Sequence, residues 1–254
     1  MTPAGTSSRG FLALLGMSLG FGLCTVPAYA GANHSEQQTV YGKTYGEWSA
    51  AWWRWAFAGP DGENAVQDET GDFCGVNQPK GKVWFLAGTF GLSGVERKCT
   101  IPRDRALLYP LLNTVWTDCP GTVDQNLPDE EVRRQLSEFI DLACRVTSTL
   151  DGVPIASLQL LTVRTQSPRF ASKLPENHLP FIGNCGFVLP VGRTGRQISD
   201  GYWIMLPPLS PGEHTLTLNG AACDADTGEV MFESGVTYQL TVLGRDEDDE
   251  GHHH

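Results

Sequence analysis

The chain has 254 residues, with 18 Lys+Arg against 29 Asp+Glu and a formal net charge of −11. Hydrophobic residues make up 41% and charged residues 19%, which excludes an intrinsically disordered chain, and the acidic balance argues against nucleic-acid binding, which needs clustered Lys and Arg. The 29 Gly and 16 Pro favour strands and turns over a helical bundle, in a length that suits one large β domain or two small ones.

Residues 1–30 read as a cleaved signal peptide. Arg9 precedes an apolar run from Phe11 to Cys24, and Ala28 and Ala30 give the small-x-small pattern before Gly31, the expected mature start. The run is short for a bilayer span, and no later stretch is long and apolar enough to be one. Gly16-Met17-Ser18-Leu19-Gly20 matches a hydrolase nucleophile elbow, but that motif works only at a strand-to-helix turn, so here it carries no meaning. Gly31 to Val40 is a polar lead-in.

Tyr41 to Ala58 reads YGKTYGEWSAAWWRWAFA. Thr44 and Glu47 form a T-x-x-E capping box, so a helix starts here, and Gly59-Pro60 stops it. On that helix Tyr45, Trp48, Trp52 and Trp55 share one face, Trp53 and Phe57 form a second apolar stripe, and Glu47 and Arg54 give a narrow polar strip. An aromatic stripe at helical spacing normally packs in a core. Trp53, off the main stripe, is the expected exposed member. The candidate ligand-binding residues are therefore Trp53, Trp52, Arg54 and Glu47, with exposed indoles as a stacking platform.

Val83 to Gly88, Arg97 to Ile101 and Ala106 to Trp116 read as strands, and Pro128 to Arg145 as a second helix with acidic residues in its first turn. Beyond it, Asp151-Gly152 signals a hairpin. Ser157 to Thr165, Phe181 to Leu189, Tyr202 to Leu206, His214 to Leu218 and Val236 to Leu243 read as strands. The expected fold is a mainly β, antiparallel sandwich or jelly-roll-like domain with two packed helices, spanning residues 31–245 as one domain. Arg245 to His254 is a charged, histidine-ended tail.

Without Cys24, six cysteines remain: Cys74, Cys99, Cys119, Cys144, Cys185 and Cys223. An even set in an exported chain reads as three disulfides, and their spacing fits no zinc motif. Fifteen connectivities are open; the sequential one, Cys74–Cys99, Cys119–Cys144 and Cys185–Cys223, is the simplest. No metal and no cofactor is expected. No catalytic residue is assigned. A Ser–His–Asp set drawn from Ser199 or Ser210 with Asp200 has no motif behind it, and His178 and His214 are read as a loop and a strand histidine. Asp226-Thr227-Gly228 spells an aspartic-protease triplet, but only once, so a turn is expected.

The segment from Tyr41 to Trp48, followed by Trp52-Trp53-Arg54-Trp55, resembles a group of exported bacterial proteins with no established activity. Val83 to Gly88, Asp200 to Trp203 and Pro208 to Thr215 extend that likeness. The resemblance implies export and transfers no catalytic residue. The function expected is a secreted or periplasmic, non-enzymatic binding or envelope-associated protein whose partner is a small molecule, glycan or surface. The alternatives are an extracellular hydrolase, with Glu47, Glu213 or His214 as its acids and bases, and a purely structural surface protein.

Overall fold

A computed structural model of the chain describes residues 39–158 and 162–244. The expected signal peptide, most of the lead-in and the acidic tail lie outside the described residues. In chain order the elements are α1 (Tyr45–Ala58), β1 (Val83–Phe85), β2 (Val95–Ile101), β3 (Ala106–Thr117), α2 (Asp129–Asp141), β4 (Ala143–Leu150) and β5 (Val153–Pro154). A short 3-10 turn (Ile155–Leu158) precedes β6 (Val163–Gln166), β7 (Lys173–Leu174), β8 (Gly192–Arg193), β9 (Gln197–Leu206), β10 (Gly212–Cys223) and β11 (Val230–Val242). Among the described residues no helix is long and apolar enough to cross a membrane.

The strands form a four-stranded sheet in the order β1-β3-β9-β6 and a five-stranded sheet in the order β2-β11-β10-β4-β5. A two-stranded ribbon pairs β7 with β8. Both large sheets are mixed rather than antiparallel throughout: β1 runs parallel to β3, and β2 parallel to β11. The chain places β1 in one sheet and β2 in the other, so each meets a non-consecutive neighbour.

The four-stranded sheet is buried on both faces, which explains the nearly unbroken apolar text of β3. Leu107, Tyr109 and Leu111 of β3, with Ile204 and Leu206 of β9, pack against Leu216, Leu218, Tyr238 and Leu240 of the five-stranded sheet. The opposite face, with Leu108, Trp203 and Met205, is covered by α1. At Gly220 the backbones touch: a Cβ there would stand 1.9 Å from the Leu111 carbonyl oxygen, so no other residue fits β10 at this point. Pro110 has no N–H to donate, and the β3–β9 register shifts between Pro110 and Leu112.

α1 starts at the expected capping box. The Glu47 backbone N–H donates to the Thr44 hydroxyl at 3.2 Å, and the Glu47 carboxylate accepts from the Thr44 N–H at 2.8 Å. The tryptophans anchor the helix, and three find partners for their indole N–H: Trp48 donates to the Val40 carbonyl at 2.7 Å, Trp52 to Leu86 at 2.9 Å and Trp55 to Val76 at 2.9 Å. Trp52 also meets Trp203 of the sheet edge-on, 5.6 Å between ring centroids. Trp53 is not the exposed member: it is 4% accessible. A helix clothed by a sheet and by two loops has no bare apolar stripe.

Other boundaries shift. The second helix ends at Asp141, and Ala143 already opens β4, paired with Ala222. Phe181 to Leu189 is a looped segment rather than a strand, with only an isolated bridge between Ile182 and Cys185. Of the expected strand from Ser157 to Thr165, Ser157 and Leu158 end the 3-10 turn, residues 159–161 lie outside the described residues, and strand begins at Val163.

All six cysteines are paired, but only the first bridge follows sequence order. Cys74 joins Cys99, Cys119 joins Cys185, and Cys144 joins Cys223. Strand pairing decides the exchange: Cys144 stands at the start of β4 and Cys223 at the end of the neighbouring β10. Cys119 follows β3 and is left to the 181–189 loop.

Arg97 is buried in the β2 strand, 1% accessible, with no carboxylate partner among the described residues. Its Nε donates to the Asp68 carbonyl at 2.6 Å, and Nη1 donates to the Ala87 carbonyl at 2.9 Å and the Tyr238 hydroxyl at 2.9 Å. The side chain thus ties the segment after α1, the segment after β1 and strand β11 together. Replacing it strands several buried carbonyls at once. Arg97→Met is expected to lower the unfolding free energy by roughly 3 kcal/mol or more, read by urea denaturation; a loss under about 0.5 kcal/mol, the scale of an ordinary surface substitution, contradicts this account.

Candidate functional site: an aromatic cavity beside the tryptophan helix

A cavity of about 350 Å³ lies where α1, α2, the far half of β3 and the 181–189 loop meet. Seven of its lining side chains are aromatic, Trp116 of β3 and three touching pairs. Trp53 and Phe57 of α1 stand 5.2 Å apart, Phe139 of α2 and Phe232 of β11 6.0 Å, and Phe90 and Phe181 of the two loops 4.8 Å. Phe90 and Phe181 are exposed and form the rim, at 37% and 38% accessibility. Helical spacing puts Trp53 and Phe57 one turn apart on one face, which is why they meet.

The 181–189 loop is held in place rather than left loose. Cys185 is bonded to Cys119, and the Thr117 N–H donates to the Asn184 side-chain oxygen at 2.7 Å. His178 fixes the loop from below, its ring nitrogens 2.6 and 2.8 Å from the carbonyl oxygens of Leu179 and Leu189.

Three residues lining this cavity carry buried N–H groups with no hydrogen-bond partner among the described residues: the indoles of Trp53 and Trp116, and the side-chain amide of Asn113. A buried donor without a partner costs roughly 1–3 kcal/mol, and protein interiors rarely tolerate one without a reason. The three residues line one cavity, but each nitrogen is itself covered by protein, so a ligand with hydrogen-bond acceptors reaches them only when these side chains shift.

Of the four candidate ligand-binding residues, the structure brings only Trp53 to this cavity, together with Phe57 of the same stripe. Trp52 is committed to Leu86 and Trp203 on the sheet side. Glu47 closes the capping box. Arg54 does not pair with Glu47. Its Nε donates to the Ala171 carbonyl at 3.2 Å, and its guanidinium lies over Phe170, 5.2 Å from the ring centroid. The remaining walls were not legible in the sequence: Phe90, Phe139, Phe181 and Phe232 sit on four separate elements, and Asn113 reads as ordinary strand text.

Two further constellations carry catalytic residue types. Asp200 is buried and accepts from Arg164 at 3.2 Å, and the Ser199 hydroxyl bonds Ser49 at 2.8 Å, so neither serves a histidine. His214, however, lies between Asp151 and Ser210. Its Nδ1 is 2.8 Å from the Asp151 carboxylate, and its Nε2 is 2.9 Å from the Ser210 carbonyl and 3.2 Å from the Ser210 hydroxyl. A general base must offer a free lone pair to the serine. Here the shorter Nε2 contact is to a carbonyl oxygen, which requires Nε2 to donate, so the ring acts as a clip between the hairpin at Asp151 and the start of β10. The Asp226-Thr227-Gly228 triplet is a turn: the Asp224 carboxylate accepts from the N–H groups of Asp226 and Thr227 at 3.0 and 2.8 Å. Among the described residues no group of three or more His, Cys, Asp and Glu side chains is placed to hold a metal.

No protein-family model, curated protein or solved structure matches the chain.

Burial works against the charged form of His214, but the Asp151 carboxylate and the Ser210 carbonyl outweigh it and raise the pKa above the usual histidine value. Burial likewise works against the Asp151 carboxylate, and the His214 ring with the Thr215 N–H outweighs it and lowers that pKa. A raised histidine stabilises fully below about pH 6.5 and loses this as pH rises through its folded value; a lowered aspartate stabilises above about pH 4 and loses this on acidification. The clip is thus strongest between about pH 4 and 6.5. The difference in Tm between the native chain and His214→Gln is expected to be largest in that window and to shrink towards pH 8; a difference independent of pH contradicts the charged clip.

Proposed function

We propose that this is an exported, non-enzymatic binding protein that holds a small ring-containing molecule in the aromatic cavity, with acceptor oxygens on the ligand taking the N–H groups of Trp53, Trp116 and Asn113. The single observation that carries the reading is the coincidence of three aromatic pairs with three unpartnered donors around one cavity. Apolar walls with a few placed polar groups are the general pattern of small-molecule sites, and the volume lies at the small end of their range. Three disulfides favour an oxidising compartment and thus an exported protein. The indole of Trp53 can both stack on a ring and donate to it, the combination that suits phenols, aromatic acids and terminal sugars.

The test is a thermal-shift screen of the full chain against aromatic acids, phenols and monosaccharides, followed by titration of tryptophan fluorescence with each hit. A ligand bound only by the native state raises Tm. Trp53→Phe keeps the ring and removes the N–H, so affinity for a hit is expected to fall about tenfold, the worth of one hydrogen bond. Asn113→Leu is expected to weaken binding without lowering the Tm of the ligand-free protein, because it removes a donor that has no partner. Binding that is indifferent to both substitutions places the ligand elsewhere and overturns the reading. Hydrolysis of an ester or glycan panel, lost on His214→Ala with folding intact, would establish the hydrolase alternative instead.

A further inference from the structure

A second cleft, of about 590 Å³, lies on the other side of Arg54, between α1 and the β7–β8 ribbon. It is lined by Arg54, Arg169, Lys173 and Arg193, has Phe170 and Ser172 in its walls, and contains no acidic residue among the described residues. In a chain of net charge −11 such a concentration of cations needs an explanation. The ribbon makes the point sharper. Lys173 and Arg193 are direct cross-strand partners, and like charges in that position destabilise a strand pair. Neither has an ion pair or side-chain hydrogen bond among the described residues.

Arg54 adds a directed donor pair. The Ala171 carbonyl holds its Nε and the Phe170 ring holds its plane, so the guanidinium is oriented. Its two terminal nitrogens have no protein partner among the described residues. They are the fork that matches the oxygens of a phosphate, sulfate or carboxylate. Only Arg169 is neutralised, through Asp129. Burial, and then the charge of Arg193, lower the pKa of Arg54, the signature of a cation beside another cation without a counter-charge.

We propose that this cleft binds a phosphate or sulfate group, gripped by Arg54, Lys173 and Arg193 above the Phe170 ring. The group is either the free anion or one carried as an ester on a sugar; the recognising chemistry is the same. A neighbouring cleft continues from Arg54 past Lys43, Lys80 and Lys82, again without an acidic wall among the described residues, so a ligand larger than the anion has a cationic path to follow. The site shares no residue with the aromatic cavity, and its failure would leave that reading intact.

The experiment titrates the full chain at low ionic strength with inorganic phosphate, inorganic sulfate and glucose 6-phosphate, read by calorimetry and by Tm. Saturable one-to-one binding is expected, weakened about tenfold or more by the double substitution Arg54→Gln with Arg193→Gln and unaffected by Lys98→Gln on β2. Tighter binding of the sugar ester than of the inorganic anions identifies an ester-borne group, and equal binding a free anion. Lys173→Gln tests the same idea without any ligand. It relieves the cross-strand repulsion, so Tm in anion-free buffer is expected to hold or rise while the phosphate-induced gain in Tm shrinks. No saturable binding of any of the three up to about 10 mM, or binding unchanged in the double variant, overturns the proposal.

Discussion

A sheet with no face turned to water governs this structure. The strands β3 and β9 present large apolar side chains in both directions, so the four-stranded sheet requires a cover on each side. The five-stranded sheet supplies one cover and α1 the other. This accounts for the tryptophans of α1: each large aromatic buries on the order of 150–250 Å², and one short helix, joined by Leu174, Leu179, Ile182 and Leu189, covers this sheet face. It is also why three of its indole N–H groups find backbone carbonyls, since a tryptophan buried for its area still carries a polar atom.

The same constraint divides the surface of α1. Trp53 and Arg54 are adjacent in sequence, and consecutive helix positions point about 100° apart. Trp53 turns towards α2 and the 181–189 loop, Arg54 towards the β7–β8 ribbon. The helix that seals the core is thereby the common wall of an apolar cavity and a cationic cleft, kept apart by the helix body. The 181–189 loop belongs to the segment between β7 and β8, so the ribbon and the Phe181 side of the cavity rim are built from one continuous stretch of chain.

How far the sequence told this in advance varies with the range of the information needed. The start of α1 was legible because a capping box is local: Thr44 and Glu47 are three residues apart. The strands β3, β9, β10 and β11 were legible because period and composition are local too. The Phe181–Leu189 segment misled, since its apolar residues serve a cavity rim and a disulfide loop rather than a ladder, and period alone does not separate the two. Trp53 misled in the opposite sense. Being off the main stripe implies exposure only when a helix has one partner, and α1 has several. The donor set and the cationic cleft were out of reach: Asn113, Trp116, Phe181 and Phe232, or Lys173 and Arg193, become neighbours only through strand pairing and loop closure.

The crossed bridges have a consequence for how the fold is reached. Cys119 is bonded to Cys185 and Cys144 to Cys223, so each closed loop contains one cysteine of the other. A chain that emerges from its amino end presents Cys144 to Cys119 long before Cys185 is available, and shorter loops close at lower entropic cost. Among these four cysteines the pairing with the shortest loop, Cys119 with Cys144, is therefore a wrong one. A chain that closes this bridge first reaches the native set only through thiol exchange, and the Cys119–Cys185 bridge that holds the cavity rim is then made last.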